Sequence, residues 1–297
     1  MNNSGKFDKQ ALAFIESTGR TGIIAALDIM PKTSKVFFLK KVSIGRGIIT
    51  VVFSGGVAAA ISAQVEAKNL VSNIGQLLAT NVIPRPHERI YELLNQKSGK
   101  DVNISHLGSQ LAIGIVETMG FVGMIEAADA GIKAAKVIIP GWVTVGGGLT
   151  TVFYRGEVSA VKSAVTAGTS AASKVTEVIS THVIPQPHLG TEQVAPVGKV
   201  DGEYRFPEPD LEAALGVLET RGITGLIEGI DAGLKAAEIV VQGWEKIGRG
   251  LVSTIFRGKI ADVKTAMHAA IEGAQKTGKF VSSHIIPRPH SELEKGR

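Results

Sequence analysis

Four histidines fall in two pairs, His182 with His188 and His284 with His290, each pair spanning a Pro-x-Pro turn. Paired histidines are what a zinc site uses, but five intervening residues suit neither one helix face nor the usual ligand spacings. Asn81 stands where a third pair would begin, and no metal site is expected. Three glutamates recur, Glu16, Glu117 and Glu219, each three residues before a glycine. General acid–base work needs a positioned partner; none recurs beside them, and a structural bond to backbone is the expected role. Gly-x-Gly also recurs, in Ile44-Gly45-Arg46-Gly47, Val145-Gly146-Gly147-Gly148 and Ile247-Gly248-Arg249-Gly250. A nucleotide-binding glycine loop opens a helix, whereas here a strand-like run follows, so the plain reading is a hairpin turn. With no Cys in the chain, disulfides, thiolate nucleophiles and Cys-ligated zinc are excluded. No catalytic residue and no cofactor is expected.

These residues share one register. IPRPH ends at His87, IPQPH at His188 and IPRPH at His290, and the same offsets join Asp28, Asp129 and Asp231. A repeat of this length is a whole domain, since solenoid repeats run to about 20–50 residues. The expected domains are 10–90, 110–190 and 212–292, with a polar linker carrying Gly99 and Gly108 at 91–109 and a Pro- and Gly-bearing one at 191–211. The third copy is the clearest. An apolar run at 213–218 precedes Gly222; Ile223, Leu226, Ile227, Ile230 and Leu234 then follow at helical spacing. Val- and Ile-rich segments at 239–247 and 250–257 flank Gly248-Arg249-Gly250 as a hairpin. A second helical period runs through Ile260, Val263, Met267 and Ile271, and a last strand at 280–286 is stopped by Pro287 and Pro289. The order β-α-β-β-α-β gives an α+β class, with helices on a mainly antiparallel four-stranded sheet.

The 297 residues are 44% hydrophobic and 20% charged, the composition of a folded globular chain. The net charge of +5 sits in the first third, where residues 1–98 hold 12 Lys+Arg against 6 Asp+Glu. No basic run with interleaved aromatics appears, which argues against a nucleic-acid partner. The uncharged windows 47–65 and 137–154 are interrupted by Gly55-Gly56 and by Pro140 with several Gly. Each reads as strand, turn and next element rather than a membrane span. The first ten residues lack the apolar stretch of a secretory signal.

With its motifs in order, each unit resembles the shell-protein domain of bacterial microcompartments. Unit three carries ALGVLETRG, DAGLKAA, GWEKIGRGLV and HIIPRPH; unit two IVETMG, DAGIKAA, VGGGLTTVFYRG and HVIPQPH; unit one FIESTG, IGRGIITVVF and NVIPRPH. The resemblance implies a structural wall protein in the bacterial cytoplasm, built of flat tiles with six domains each. Two of these chains would then make one tile, a homodimeric pseudohexamer. It also implies that the three glycine loops line a central pore. Arg46 and Arg249 at the tips would favour small anionic metabolites, and Gly147 would widen the opening. Lys32, Lys133 and Lys235, with Arg85, Gln186 and Arg288, would be tile-edge contacts toward other shell proteins, and enclosed enzymes are further partners. Pro31 is expected to break the first helix of unit one beside Lys32. The alternative is a soluble α+β oligomer acting as an anion-binding or adaptor module outside any shell.

Overall fold

In the computed structural model, residues 10–96, 98, 111–194, 210, 213–290 and 293 are described. Each unit begins with a strand that is apolar at both parities. In β1 (Ala11–Thr18), Ala11, Ala13 and Ile15 pack on the helices of unit one, whereas Leu12 and Phe14 join a core shared with unit two. A strand buried on both faces reads as a continuous apolar run, and this one does. Glu16 has the parity of Leu12 and Phe14, so its carboxylate is carried toward unit two.

The chain continues through α1 (Thr21–Thr33), the hairpin β2 (Val36–Gly45) and β3 (Ile48–Gly55), α2 (Val57–Ile74), β4 (Gln76–Ile83) and α3 (Glu88–Asn95). Unit two repeats this as β5 (Ala112–Met119), α4 (Phe121–Ala134), β6 (Trp142–Gly146), β7 (Leu149–Gly156), α5 (Val158–Ala172), β8 (Val178–Ile184) and α6 (Leu189–Val194). Unit three runs β9 (Ala214–Arg221), α7 (Ile223–Ala236), β10 (Val240–Gly248), β11 (Leu251–Gly258), α8 (Ile260–Thr277) and β12 (Lys279–Ile286). The sheets are antiparallel with orders β2-β3-β1-β4, β6-β7-β5-β8 and β10-β11-β9-β12. The expected class and element order hold in all three.

Two expectations are corrected. The segment after each Pro-x-Pro turn is not linker at its start. Residues 88–95 form α3, with Ile90, Leu93 and Leu94 buried in the core shared with unit two, and 189–194 form α6. The apolar spacing i, i+3, i+4 in RIYELLN was the available signal. The remainder of both expected linkers, apart from Gln96, Ser98 and Asp210, lies outside the described residues, as do residues 1–9. Pro31 does not break α1: it sits in the last turn, and the helix ends two residues later at Thr33, capped by the Ser34 N–H on the Met30 carbonyl. Near a helix end a missing N–H removes only one bond before the ladder stops. Among the described residues no helix is long and apolar enough to cross a membrane.

Because Leu93 is fully buried across a unit boundary, Leu93→Ala should destabilise the chain by about 2–5 kcal/mol. The exposed neighbouring change Glu92→Ala should stay within about 0.5 kcal/mol. Urea midpoints of the two variants check this contrast.

Candidate functional site

A helix starts with backbone N–H groups that no carbonyl within the helix can satisfy. At α4 these are met by a carboxylate from the preceding unit: Glu16 Oε2 accepts from Phe121 N at 2.8 Å and from Thr50 Oγ1 at 2.5 Å. At α7 the arrangement repeats, with Glu117 Oε1 accepting from Ile223 N at 2.8 Å and from Thr151 Oγ1 at 3.1 Å, and Thr224 Oγ1 3.3 Å from Oε2. Both carboxylates are buried. Burial pushes each carboxyl above its ordinary value of 4.5, while the hydrogen bonds and the adjacent helix amides pull it back. The preceding glycine leaves room for the carboxylate. A Cβ on Gly120 would lie 2.2 Å from Glu16 Oε1, and one on Gly222 2.3 Å from Glu117 Oε2. Both glycines also have positive φ, +91° and +86°.

The same boundaries carry a second set of contacts. Asp129 accepts from His87 N, and Asp231 from His188 N, each at 2.7 Å. Lys133 and Lys235 are paired with these aspartates at 2.5 Å, and Lys133 also donates to the Arg85 carbonyl. Arg89 on α3 donates to the Ile139 carbonyl, and Trp142, stacked edge-on against Phe121, donates to Leu93. Asn81 and His182 occupy one register position and bond Glu126 and Glu228, at 2.5 and 2.8 Å. His87, His182 and His188 thus serve the boundaries, and no metal cluster occurs among the described residues. Arg85, Gln186 and Arg288 are exposed, as are Lys32 and its partner Asp28.

The chain's two ends show the halves of such a boundary unjoined. At α1 a Cβ on Gly19 would meet nothing within 4 Å, and Ile24 is 63% exposed where Ile125 and Ile227 are buried. Phe38 is 51% exposed where Ile139 and Val241 are buried. At the other end Glu219 reaches no helix among the described residues and accepts from Ser282 Oγ at 2.5 Å, and Ile247 is 53% exposed where Ile44 and Val145 are buried.

Between these ends the three hairpin tips are stacked side by side. A Cβ on Gly45 would lie 3.4 Å from Gly147 N, and one on Gly147 only 2.7 Å from the Arg249 carbonyl carbon. The central residues of all three turns have positive φ: Arg46 +53° and Gly47 +72°, Gly147 +65° and Gly148 +82°, Arg249 +52° and Gly250 +83°. That is the two-residue turn suited to the twist of a hairpin, normally built from Gly or Asn. Holding an L-residue there costs roughly 1–2 kcal/mol, yet two arginines occupy it. Both are exposed and neither is ion-paired among the described residues. Two sequence expectations change. The side chains of Ile44 and Val145 are inside the apolar boundary cores, anchoring their loops rather than facing an opening. The room beside Gly147 is taken by the Arg249 backbone, so Gly147 admits a neighbouring loop instead of widening a gap.

The comparisons with known proteins match all three units. The BMC domain profile matches residues 11–86, 112–187 and 214–289. The carboxysome assembly protein CcmO of Synechocystis sp. is 32% identical over 215 residues, which are 71% of this chain and 68% of that protein. The bacterial microcompartment shell protein EutM of Escherichia coli K12 is 49% identical over 87 residues, 29% of this chain and 90% of its own. A solved microcompartment protein from Desulfitobacterium hafniense superposes with TM-score 0.50 at 29% identity, covering 63% of this chain and 99% of that one.

Replacing Glu117 separates the boundary's hydrogen bonds from its charge. Glu117→Ala leaves the Ile223 amide without its acceptor and should lose about 1–3 kcal/mol. Glu117→Gln keeps an acceptor and should change the pH profile instead. A carboxyl held above 4.5 when folded binds its proton more tightly in the folded state. Wild-type stability should therefore fall as pH rises from 4.5 through the raised value, and the Gln variant should lose part of that slope. Denaturant titrations across this pH range measure both.

Proposed function

The chain belongs to the BMC-domain family and is a structural, non-enzymatic shell protein of a bacterial microcompartment in the cytoplasm, and from that premise we propose that two copies close head to tail into one six-unit tile. The observation that carries this is the pair of unjoined ends. Among the described residues, Glu219 is the equivalent of Glu16 and Glu117 with no helix to cap, and α1 is the equivalent of α4 and α7 with no carboxylate. The exposed Ile247 at one end and Ile24 and Phe38 at the other are apolar where both internal boundaries are buried. Two such chains satisfy both ends at once, and a two-fold ring leaves none open.

In that ring the hairpin tips surround the axis, with the backbones of Gly45, Gly47, Gly146, Gly148, Gly248 and Gly250 allowing their approach. Arg46 and Arg249 stand there twice each. Guanidinium groups stay charged at any working pH. At about 4 Å a pair repels by roughly 1–4 kcal/mol for effective dielectrics of 80 to 20, so the ring is relieved by anions or water. The reading is a pore that passes small anionic metabolites in preference to cations. Lys32, Lys133, Lys235, Arg85, Gln186 and Arg288 are the exposed polar positions by which one tile meets the next, where other shell proteins are the partners. Enclosed enzymes are further partners.

Light scattering should give a mass near twice the 31.1 kDa chain, moving toward a single chain in Glu219→Ala. A stable trimer contradicts closure, because nine units do not fit six positions. With both tips changed, Arg46→Ser with Arg249→Ser, anion binding should weaken at least tenfold and cation passage across sheets should rise, with the mass unchanged. Equal anion binding in that variant contradicts the pore assignment.

A further inference from the structure

The boundaries between units one and two and between units two and three are built alike but differ in charge beside the hairpin tips. Between units two and three lies an open cleft of about 530 Å³. Five cations line it: Arg46, Arg221, Arg249, Lys276 and Lys279. Its acid, Glu117, is committed to the α7 amides. None of the five cations forms an ion pair among the described residues. The cleft between units one and two, about 410 Å³, has Arg46 with Glu16 and Glu177. The difference is position by position. Where unit three places Arg221, Arg249 and Lys279, unit two places Met119, Gly147 and Glu177. One backbone carries a strongly positive cleft in one place and a nearly balanced one in the other, so the fold does not require the cations.

Lys276 has a second role, because it lies in the last turn of α8 and complements the negative end of the helix; Lys174 stands at the same place in unit two. Arg221 and Lys279 have no such explanation. Arg221 donates to the Arg249 carbonyl at 3.0 Å, which holds its stem beside the loop and leaves further N–H groups for a ligand. Met119, Leu149 and Ile179 supply an apolar side to the same cleft. Its volume is in the range that encloses small molecules. Low-dielectric walls focus the field of grouped like charges and raise the local concentration of counter-ions.

We propose that this cleft binds a small organic polyanion, one with two or more phosphate or carboxylate groups on a short carbon skeleton. The charged groups pair with Arg221, Lys279 and the tip arginines by charge-assisted hydrogen bonds, and the skeleton lies on Met119 and Ile179. The cleft is complete within one chain, so the site does not rest on ring closure. Two-fold closure would place two such sites beside the axis of each tile.

The test uses the whole protein and titration calorimetry. Fructose 1,6-bisphosphate serves as the two-anion probe, citrate as the carboxylate probe and inorganic phosphate as the single-anion control. One bisphosphate or citrate should bind per chain, at least tenfold more tightly than phosphate, and should weaken as salt rises. Arg221→Met with Lys279→Glu installs the residues that unit two carries at the same positions, so the fold is expected to hold. Unchanged circular dichroism and mass verify that. In this variant binding should fall at least tenfold. The converse change Glu177→Lys should add a second, weaker site. Three results overturn the proposal: no binding of either probe by the wild type, unchanged binding in Arg221→Met/Lys279→Glu, or binding lost only in Arg46→Ser/Arg249→Ser. The last outcome would assign the anion to the hairpin tips and leave the pore reading standing.

Discussion

A carboxylate buried between domains must find donors, and here the donors are the first amides of the next domain's helix. Hydrogen bonds to a charged group contribute about 1.5–3 kcal/mol each, and the helix N-terminus adds a favourable field. Those gains offset part of the cost of removing Glu16 and Glu117 from water, and only when the next helix begins at one place, beside a glycine that leaves space for the oxygens. The contact therefore fixes position as well as contributing stability. Each unit is set against the one before it with little freedom in distance or rotation.

The rest of the arrangement follows from that placement. Strands β1 and β5 bury both faces, one on their own helices and one on the next unit, so a unit alone would expose half of its sheet. The straps α3 and α6 cross each boundary and are pinned by Asp129 and Asp231 through the amides of His87 and His188. With the boundaries fixed, the hairpins are driven together at their tips. The turn at Gly147 then has no room for a side chain, because the Arg249 carbonyl occupies the space. Arg46 and Arg249 keep their side chains by accepting a strained backbone, which ties the charge at the tips to the geometry of the boundaries.

Much of this was legible in the sequence, for identifiable reasons. The three-fold recurrence, the helical spacing in α7 and the Val- and Ile-rich hairpins gave the element order, because each unit repeats the same evidence. The recurring glutamates could be read as backbone ligands, since nothing catalytic recurs beside them. Their target could not, because the amide that Glu16 holds lies 105 residues away and no local pattern marks it. The straps are masked by the polarity of their surroundings, although Ile90, Leu93 and Leu94 stand at helical spacing. Pro31 leaves α1 intact because position within a helix, rather than presence, decides the effect of proline, and a sequence alone does not mark where this helix ends. Ile44 and Val145 looked like loop residues until the neighbouring unit supplied the core that buries them. The basic cleft was invisible for the same reason: Arg221 and Lys279 are far apart in sequence and become neighbours through pairing of β9 with β12.

The central claim is that every first helix in the assembled protein receives a carboxylate, including α1 from a second copy. Amide hydrogen exchange of the assembled wild type reads this directly at Arg20 and Thr21, which correspond to Phe121 and Val122 at the first internal boundary. The account predicts protection at Arg20 and Thr21 comparable with that at Phe121 and Ile223. Rapid exchange at Arg20 and Thr21 while Phe121 and Ile223 stay protected would contradict it.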